Sequence, residues 1–313
     1  MNAATDDAEQ SPAGNPDGPG AVADPETAFS RLSDETRLRT IRTLAAEGPQ
    51  PFTALFEASA ADTTAGFAYH LRQIADHYVE KRGEEREEPR YHLTAAGRAV
   101  ARALDTGVYT ESVARGPEHV DGDCPVCGTA ALSAGLSDNR VHVACTDCGT
   151  GLLALPFPPG GARDRTIPEL LDAFDSYHRR RLSLVADGVC PDCAGPIHGE
   201  IESADAPDAA SSDEQRPVVA ADCDGCQFEV SAPVSLFVRE ESAVASFLDE
   251  HDLDPGPIWN LGREWRETVL STDPWAVRVS VHAEDAVLDL LVGDGPTVVD
   301  ASCSAVESAE PTA

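Results

Sequence analysis

Four Cys-x-x-Cys pairs constrain this chain more than any other feature: "CPVC" from Cys124, "CTDC" from Cys145, "CPDC" from Cys190 and "CDGC" from Cys223. The short turn inside each pair lets two thiolates converge on one ion, and two such turns complete a tetrahedral set of four sulfurs. Between Cys127 and Cys145 lie 17 residues, and "AALSAGLSDNRVHVA" alternates there like a hairpin turning at Ser137 to Asn139. The second quartet encloses 29 residues, flanked by the alternating "PIHGEIE" and "PVVAAD". We read Cys124, Cys127, Cys145 and Cys148 as one structural Zn2+ site and Cys190, Cys193, Cys223 and Cys226 as a second. Four thiolates leave no open coordination position, so the sites are expected to stabilise small β-units rather than to catalyse. A redox dithiol would call for one pair beside a βαβ pattern, which this spacing does not match. His142 and His198 are either outer residues of these sites or strand-surface histidines. Cys303 is unpaired, and reads as an ordinary small apolar residue or as a reactive thiol or extra ligand.

Charge is the second constraint. Against 23 basic residues stand 55 acidic ones, a formal net charge of -32, and Lys81 is the only lysine. Such a surface holds water and cations, and the composition resembles the proteome of salt-accumulating haloarchaea. No run reaches the length of about 18 apolar residues that spans a bilayer, and the first residues have neither a basic start nor an apolar stretch. A cytoplasmic chain without a membrane partner is expected, and in a reducing cytoplasm paired cysteines favour metal over disulfides.

The acidic load is uneven. Asp24 to Thr106 holds 11 basic and 14 acidic residues, whereas Gly107 to the C-terminus holds 12 and 37. The nearly neutral segment has the balance that a phosphate-facing surface requires, although a compact helical core with fewer surface positions would also produce it.

The pattern predicts an α+β, multi-domain chain. Residues 1–23 read as a disordered acidic tail. Residues 24–110 follow the order helix, helix, helix, hairpin, helix, which is that of a winged helix-turn-helix module. Phe29, Leu32, Leu38, Ile41 and Leu44 fall at helical spacing there, with Ser33 or Asp34 as an N-cap and Gly48 as a stop. Phe67, Leu71 and Ile74 share one face of a later helix, and Thr94 caps the last. Residues 119–160 form the first zinc-ribbon-like unit and 165–186 a linking helix starting near Pro168. The second ribbon covers 187–236, with an acidic loop at 203–216, and a small α+β unit covers 240–303 before a tail at 304–313. "WAVRVSVHA" and "AVLDLLVGD" read as an antiparallel pair in that unit.

Within the N-terminal module, "LSDETRLRTIRTL", "YHLRQI" and "YHLTAAG" resemble the winged-helix regulators of the ArsR-like type, including haloarchaeal members with cysteine-knuckle extensions. The resemblance covers roughly Glu26 to Asp105. It implies a DNA-binding domain whose base-reading face falls on Thr64, Ala65, Ala68 and Tyr69, with Arg72 and Gln73 close to phosphate and Thr63 capping the helix. His70 would pack or cap. Arg82, Arg86 and Arg90 would be the wing's contacts with DNA, although Glu84, Glu85, Glu87 and Glu88 make the wing tip a solvated acidic turn equally well. No cysteine precedes Cys124, so the metal-sensing cysteines of that family are not present in this module.

The expected function is therefore transcription regulation by binding double-stranded DNA as a homodimer, with the ribbons and C-terminal unit making dimer or protein contacts. An interaction or scaffold protein, using the same modules without sequence-specific DNA binding, is the alternative. An enzyme is not expected: there is no phosphate loop, nucleophile motif or open metal site, and His178 beside Arg179, Arg180 and Arg181 reads as covering a helix end.

Overall fold

Asp34, Thr63 and Thr94 are side chains that start three of the helices of the N-terminal unit. In the computed structural model, which describes residues 24–83, 88–204, 216–293 and 295–306, the chain divides into two compact units, Met1–Tyr109 and Thr110–Ala313. The first contains α1 (Pro25–Ser30), α2 (Glu35–Glu47), β1 (Gln50–Pro51), α3 (Phe52–Ala58), α4 (Thr64–Ile74), β2 (Val79–Arg82), β3 (Arg90–Leu93) and α5 (Ala95–Thr106). Asp34 accepts from the Arg37 N–H at 3.3 Å, Thr63 from Gly66 at 3.1 Å and Thr94 from Gly97 at 3.1 Å. Each thereby satisfies a donor that an uncapped helix would leave orphaned.

Ile41, Leu44, Leu55, Phe67, Leu71 and Ile74 make the core of this unit, closed by Tyr78, Val79 and Leu93 from the hairpin. Phe67 is fully buried between the rings of Phe52 and Phe56, at 5.2 and 5.9 Å. The strands form an antiparallel sheet in the order β1-β3-β2. Gly97 lets α5 sit on the hairpin: a Cβ there would lie 2.0 Å from the Tyr78 carbonyl oxygen. Phe29, expected on the apolar face, is instead 67% exposed, because the chain breaks between α1 and the Asp34 cap of α2.

The second unit contains β4 (Arg115–His119), β5 (Leu132–Ser137), β6 (Arg140–Cys145), β7 (Gly151–Pro156), α6 (Pro159–Ala162) and α7 (Ile167–Ala186). It continues with β8 (His198–Ala204), β9 (Arg216–Asp222), β10 (Glu229–Pro233), α8 (Val234–Val238), α9 (Ser242–Glu250), β11 (Trp265–Thr272), β12 (Trp275–His282), β13 (Ala286–Gly293) and β14 (Thr297–Ala305). Among the described residues these strands form three antiparallel sheets, in the orders β4-β5-β6-β7, β10-β9-β8 and β11-β12-β13-β14. The β5–β6 hairpin turns where expected, with Asp138 and Asn139 at φ 49° and 55°.

The segments read from sequence as separate ribbon, linker, ribbon and α+β modules share one hydrophobic core here. Helix α7 contributes its apolar face to this core. A capping box of Thr166 and Glu169 starts it, and Ile167, Leu170, Leu171, Phe174, His178, Leu182 and Val185 are all buried. His178 does not cover a helix end: it lies within α7, 4% exposed, with Nε2 donating to the Pro156 carbonyl at 2.8 Å. Burial pushes its pKa down to about 4, assisted by Arg181 and Arg140 and opposed by the Pro156 bond. Strand β14 extends to Ala305, two residues into the expected tail. Residues 307–313 of that tail, the N-terminal tail and residues 205–215 of the acidic loop lie outside the described residues.

Candidate metal centres and the exposed face of α4

All four knuckles are built alike. In each, the first cysteine's carbonyl accepts the N–H of the residue four positions on, at 2.8–3.0 Å: Gly128, Gly149, Ala194 and Gln227. The first cysteine's own N–H then donates to the carbonyl of the residue five positions on, at 2.8–2.9 Å. The turn demands positive φ at the fourth step, which is 78°, 73°, 59° and 59° respectively. Glycine meets that demand in the first quartet, while Ala194 and Gln227 adopt it with a Cβ present.

This backbone brings the sulfurs together. Cys124 Sγ lies 3.8 Å from Cys148 Sγ and Cys127 Sγ 3.7 Å from Cys145 Sγ; in the second quartet Cys190–Cys226 and Cys193–Cys223 are 3.5 and 3.6 Å apart. A tetrahedron with metal–sulfur bonds near 2.3 Å has sulfur–sulfur edges of about 3.8 Å. Each quartet can therefore hold one metal ion, and its donors match the thiolate chemistry of zinc. In both, two cysteines are buried and two exposed. Burial pushes Cys124 up to about 11. Burial also opposes ionisation of Cys145, yet the N–H groups of Cys148 and Asp147 bring it down to about 6.

Sequence reasoning passed over the groups around these sulfurs. Thr129 Oγ1 lies 3.0 Å from Cys127 Sγ and Thr150 Oγ1 lies 3.2 Å from Cys148 Sγ, and the repeated "CGT" of both knuckles was the available signal. The Arg263 guanidinium lies beside the first turn, where a Cβ on Gly128 would meet its Nη1 at 2.8 Å. On the second centre, Arg181 reaches from α7 to Asp192 at 2.7 Å. The two candidate outer histidines stand apart from this chemistry: His142 is exposed on β6, 3.0 Å from Ser137 Oγ, and His198 is exposed on β8. Cys303 is exposed on β14.

The residues singled out for DNA cluster on α4. Thr63, Thr64, Ala65, Tyr69 and Arg72 are exposed, Ala68 and Gln73 are half-buried, and Phe67, Leu71 and Ile74 face the core. His70 is half-buried, its Nδ1 lying 3.2 Å from Asp34 Oδ1 at the start of α2. On the hairpin, Arg82 pairs with Glu80 and Arg90 donates to the Pro49 carbonyl at 3.0 Å. Arg86, with Glu84, Glu85 and Glu87, lies outside the described residues, and Glu88 is exposed.

A family model described as "Domain of unknown function (DUF7351)" matches residues 121–298, more than half of the chain and all eight paired cysteines. The chain belongs to the DUF7351 family. A second model, "Domain of unknown function (DUF7347)", matches residues 25–104, the stretch of α1 to α5. No curated protein and no solved structure matches this DUF7351 member. Among its described residues, no helix is long and apolar enough to cross a membrane.

Proposed function

We propose that this DUF7351 chain is a DNA-binding transcriptional regulator. Its first unit is a winged helix-turn-helix of ArsR-like type, and its second is a zinc-stabilised scaffold that carries dimer or partner contacts. The observation that carries the reading is the outer face of α4: Thr64, Ala65, Tyr69 and Arg72 stand exposed on a helix anchored by Phe67, Leu71 and Ile74 and capped by Thr63. A recognition helix needs that division, because its base-reading side chains must be free while its axis is fixed. The N-terminal segment also escapes most of the acidic load, as a surface that approaches phosphate must. Both quartets are read as structural Zn2+ sites, since a complete thiolate set has no position left for a reacting ligand.

Genome-wide mapping of DNA bound by the tagged chain, followed by binding of the mapped site in molar KCl, tests this reading. Wild-type protein should select a defined motif, and Tyr69→Ala with Thr64→Ala should abolish the selection while leaving the fold intact. Binding indifferent to both substitutions, or no enriched motif, would favour a protein-interaction module in its place.

A further inference from the structure

The sheet β11-β12-β13-β14 ends on β14, a nine-residue strand on which every residue but the half-buried Val298 is exposed. Its pairing with β13 is regular from Leu291–Asp300 to Ala286–Ala305. Beyond that, the Val306 N–H donates to the Asp285 carbonyl at 2.8 Å. In an antiparallel ladder the N–H and C=O of one residue point to the same side and alternate along the strand. Ser302 and Ser304 therefore bond to β13, as Val306 does, whereas Ala301, Cys303 and Ala305 direct their backbone groups to the open edge.

Those three residues also share the sheet face of their partners Leu290, Leu288 and Ala286, all of which are buried in the core. Ala301, Cys303 and Ala305 continue that inner face, yet they are exposed. A long edge that carries a single carboxylate and is left uncovered by the described residues is a template for another strand.

Residues 301–305 read Ala-Ser-Cys-Ser-Ala, the same in both directions. Two such strands running antiparallel about a two-fold axis through Cys303 place Ala301 opposite Ala305, Ser302 opposite Ser304 and Cys303 opposite Cys303 of the second copy. The register is consistent with the ladder, since every outward-facing residue meets an outward-facing one; a shift by one residue would set outward groups against groups already bonded to β13. Charge permits the same partner. Two copies of a chain with net charge -32 must meet where carboxylates are sparse, and β14 carries only Asp300, which in this register faces Val306.

We propose that β14 is a homodimerisation strand, pairing with β14 of a second copy so that two four-stranded sheets become one continuous sheet. A two-fold interface requires a self-complementary surface, and this strand provides one in backbone parity, side-chain size and charge. The inference stands apart from what α4 binds.

The full chain in molar KCl tests it. Light scattering should give twice the 33.0 kDa chain mass. A short bismaleimide should crosslink wild-type copies, and Cys303→Ser should remove the crosslink. Ala305→Pro deletes an edge-facing N–H that β13 does not use, so it should halve the mass with circular dichroism and metal content unchanged. A wild-type monomer would overturn the proposal. So would a wild-type dimer that Cys303 does not crosslink, or a folded Ala305→Pro variant that remains dimeric, since the copies would then meet elsewhere.

Discussion

The Arg181 guanidinium donates to Asp192 Oδ1 at 2.7 Å, tying the middle of α7 to the "CPDC" turn of the second metal centre. The same group sits 5.0 Å from the ring centroids of both Tyr177 and Phe228. Because Phe228 follows the "CDGC" turn, one side chain braces both knuckles of that centre against the core helix. Arg181→Ala should cost about 2 kcal/mol, combining a charge-assisted hydrogen bond with two ring contacts. Arg181→Lys should recover part of this, since an ammonium keeps the charge without the planar stack. Denaturant titration of both variants measures the difference, and an unchanged midpoint for Arg181→Ala would exclude the brace.

Metal content is the second expectation. Elemental analysis of the purified chain should give two zinc ions, one per quartet. Cys145→Ser should lower the content by one ion and loosen β5 to β7, leaving the N-terminal unit folded because its core is built from other residues. Less than one ion per chain with all thiols reduced contradicts the assignment.

The positive-φ step of the knuckles gives a third test. Gly149 has no atom within 4 Å of where a Cβ would stand, so Gly149→Ala should cost only the backbone penalty, about 1 kcal/mol. Gly128→Ala should cost more, because it also displaces Arg263. Ala194→Gly should be neutral or stabilising, since relief of its φ of 59° is offset by the greater freedom of unfolded glycine. Thermal melts of the three variants rank these effects.

His178 makes stability depend on pH. Its folded pKa of about 4 lies below the ordinary 6.5, so between those values the unfolded chain binds a proton that the folded chain does not. Its stabilisation is present in full above pH 6.5, is lost progressively as pH falls and changes no further below about pH 4. By pH 5 the loss should be about 2 kcal/mol. His178→Asn, although less stable at pH 7, should show a correspondingly smaller decline between pH 7 and pH 5 in denaturant midpoints. Equal declines in both proteins would refute the assignment.

What was legible in the sequence is what local chemistry determines. The quartets were readable because a knuckle is complete within six residues, and the caps Asp34, Thr63 and Thr94 because each bonds three positions on. The shared core of the second unit was not, since nothing local in "TIPELLDAFDSYHRRRLSLVADG" says that the apolar face of α7 joins a core shared with three sheets. His178 was missed for the same reason: its acceptor, Pro156, lies 22 residues away. Strand β14 escaped because Ala, Ser and Cys carry no apolar alternation, and only pairing with β13 makes them a strand.

Salt dependence tests the proposed DNA reading most severely. An ordinary DNA-binding protein loses affinity as salt rises, because each neutralised phosphate releases counterions. Here several of the unit's cations are already engaged, Arg82 with Glu80, Arg90 with the Pro49 carbonyl and Arg39 with Glu35, while Arg72 stands exposed on α4. The hairpin sequence adds Glu84, Glu85, Glu87 and Glu88. Few counterions are then released on binding, and cations must instead be taken up between two anionic surfaces. Affinity for the mapped site should be flat or rise with KCl across the molar range. At low salt binding should fail, as self-repulsion among net charges of -32 opens the fold. Titration of a labelled site at several KCl concentrations, with circular dichroism in parallel, separates lost binding from unfolding. A steep fall in affinity while the fold stays intact would mean that Arg72 and the hairpin arginines contact phosphate directly, and the cation-uptake account would have to be abandoned.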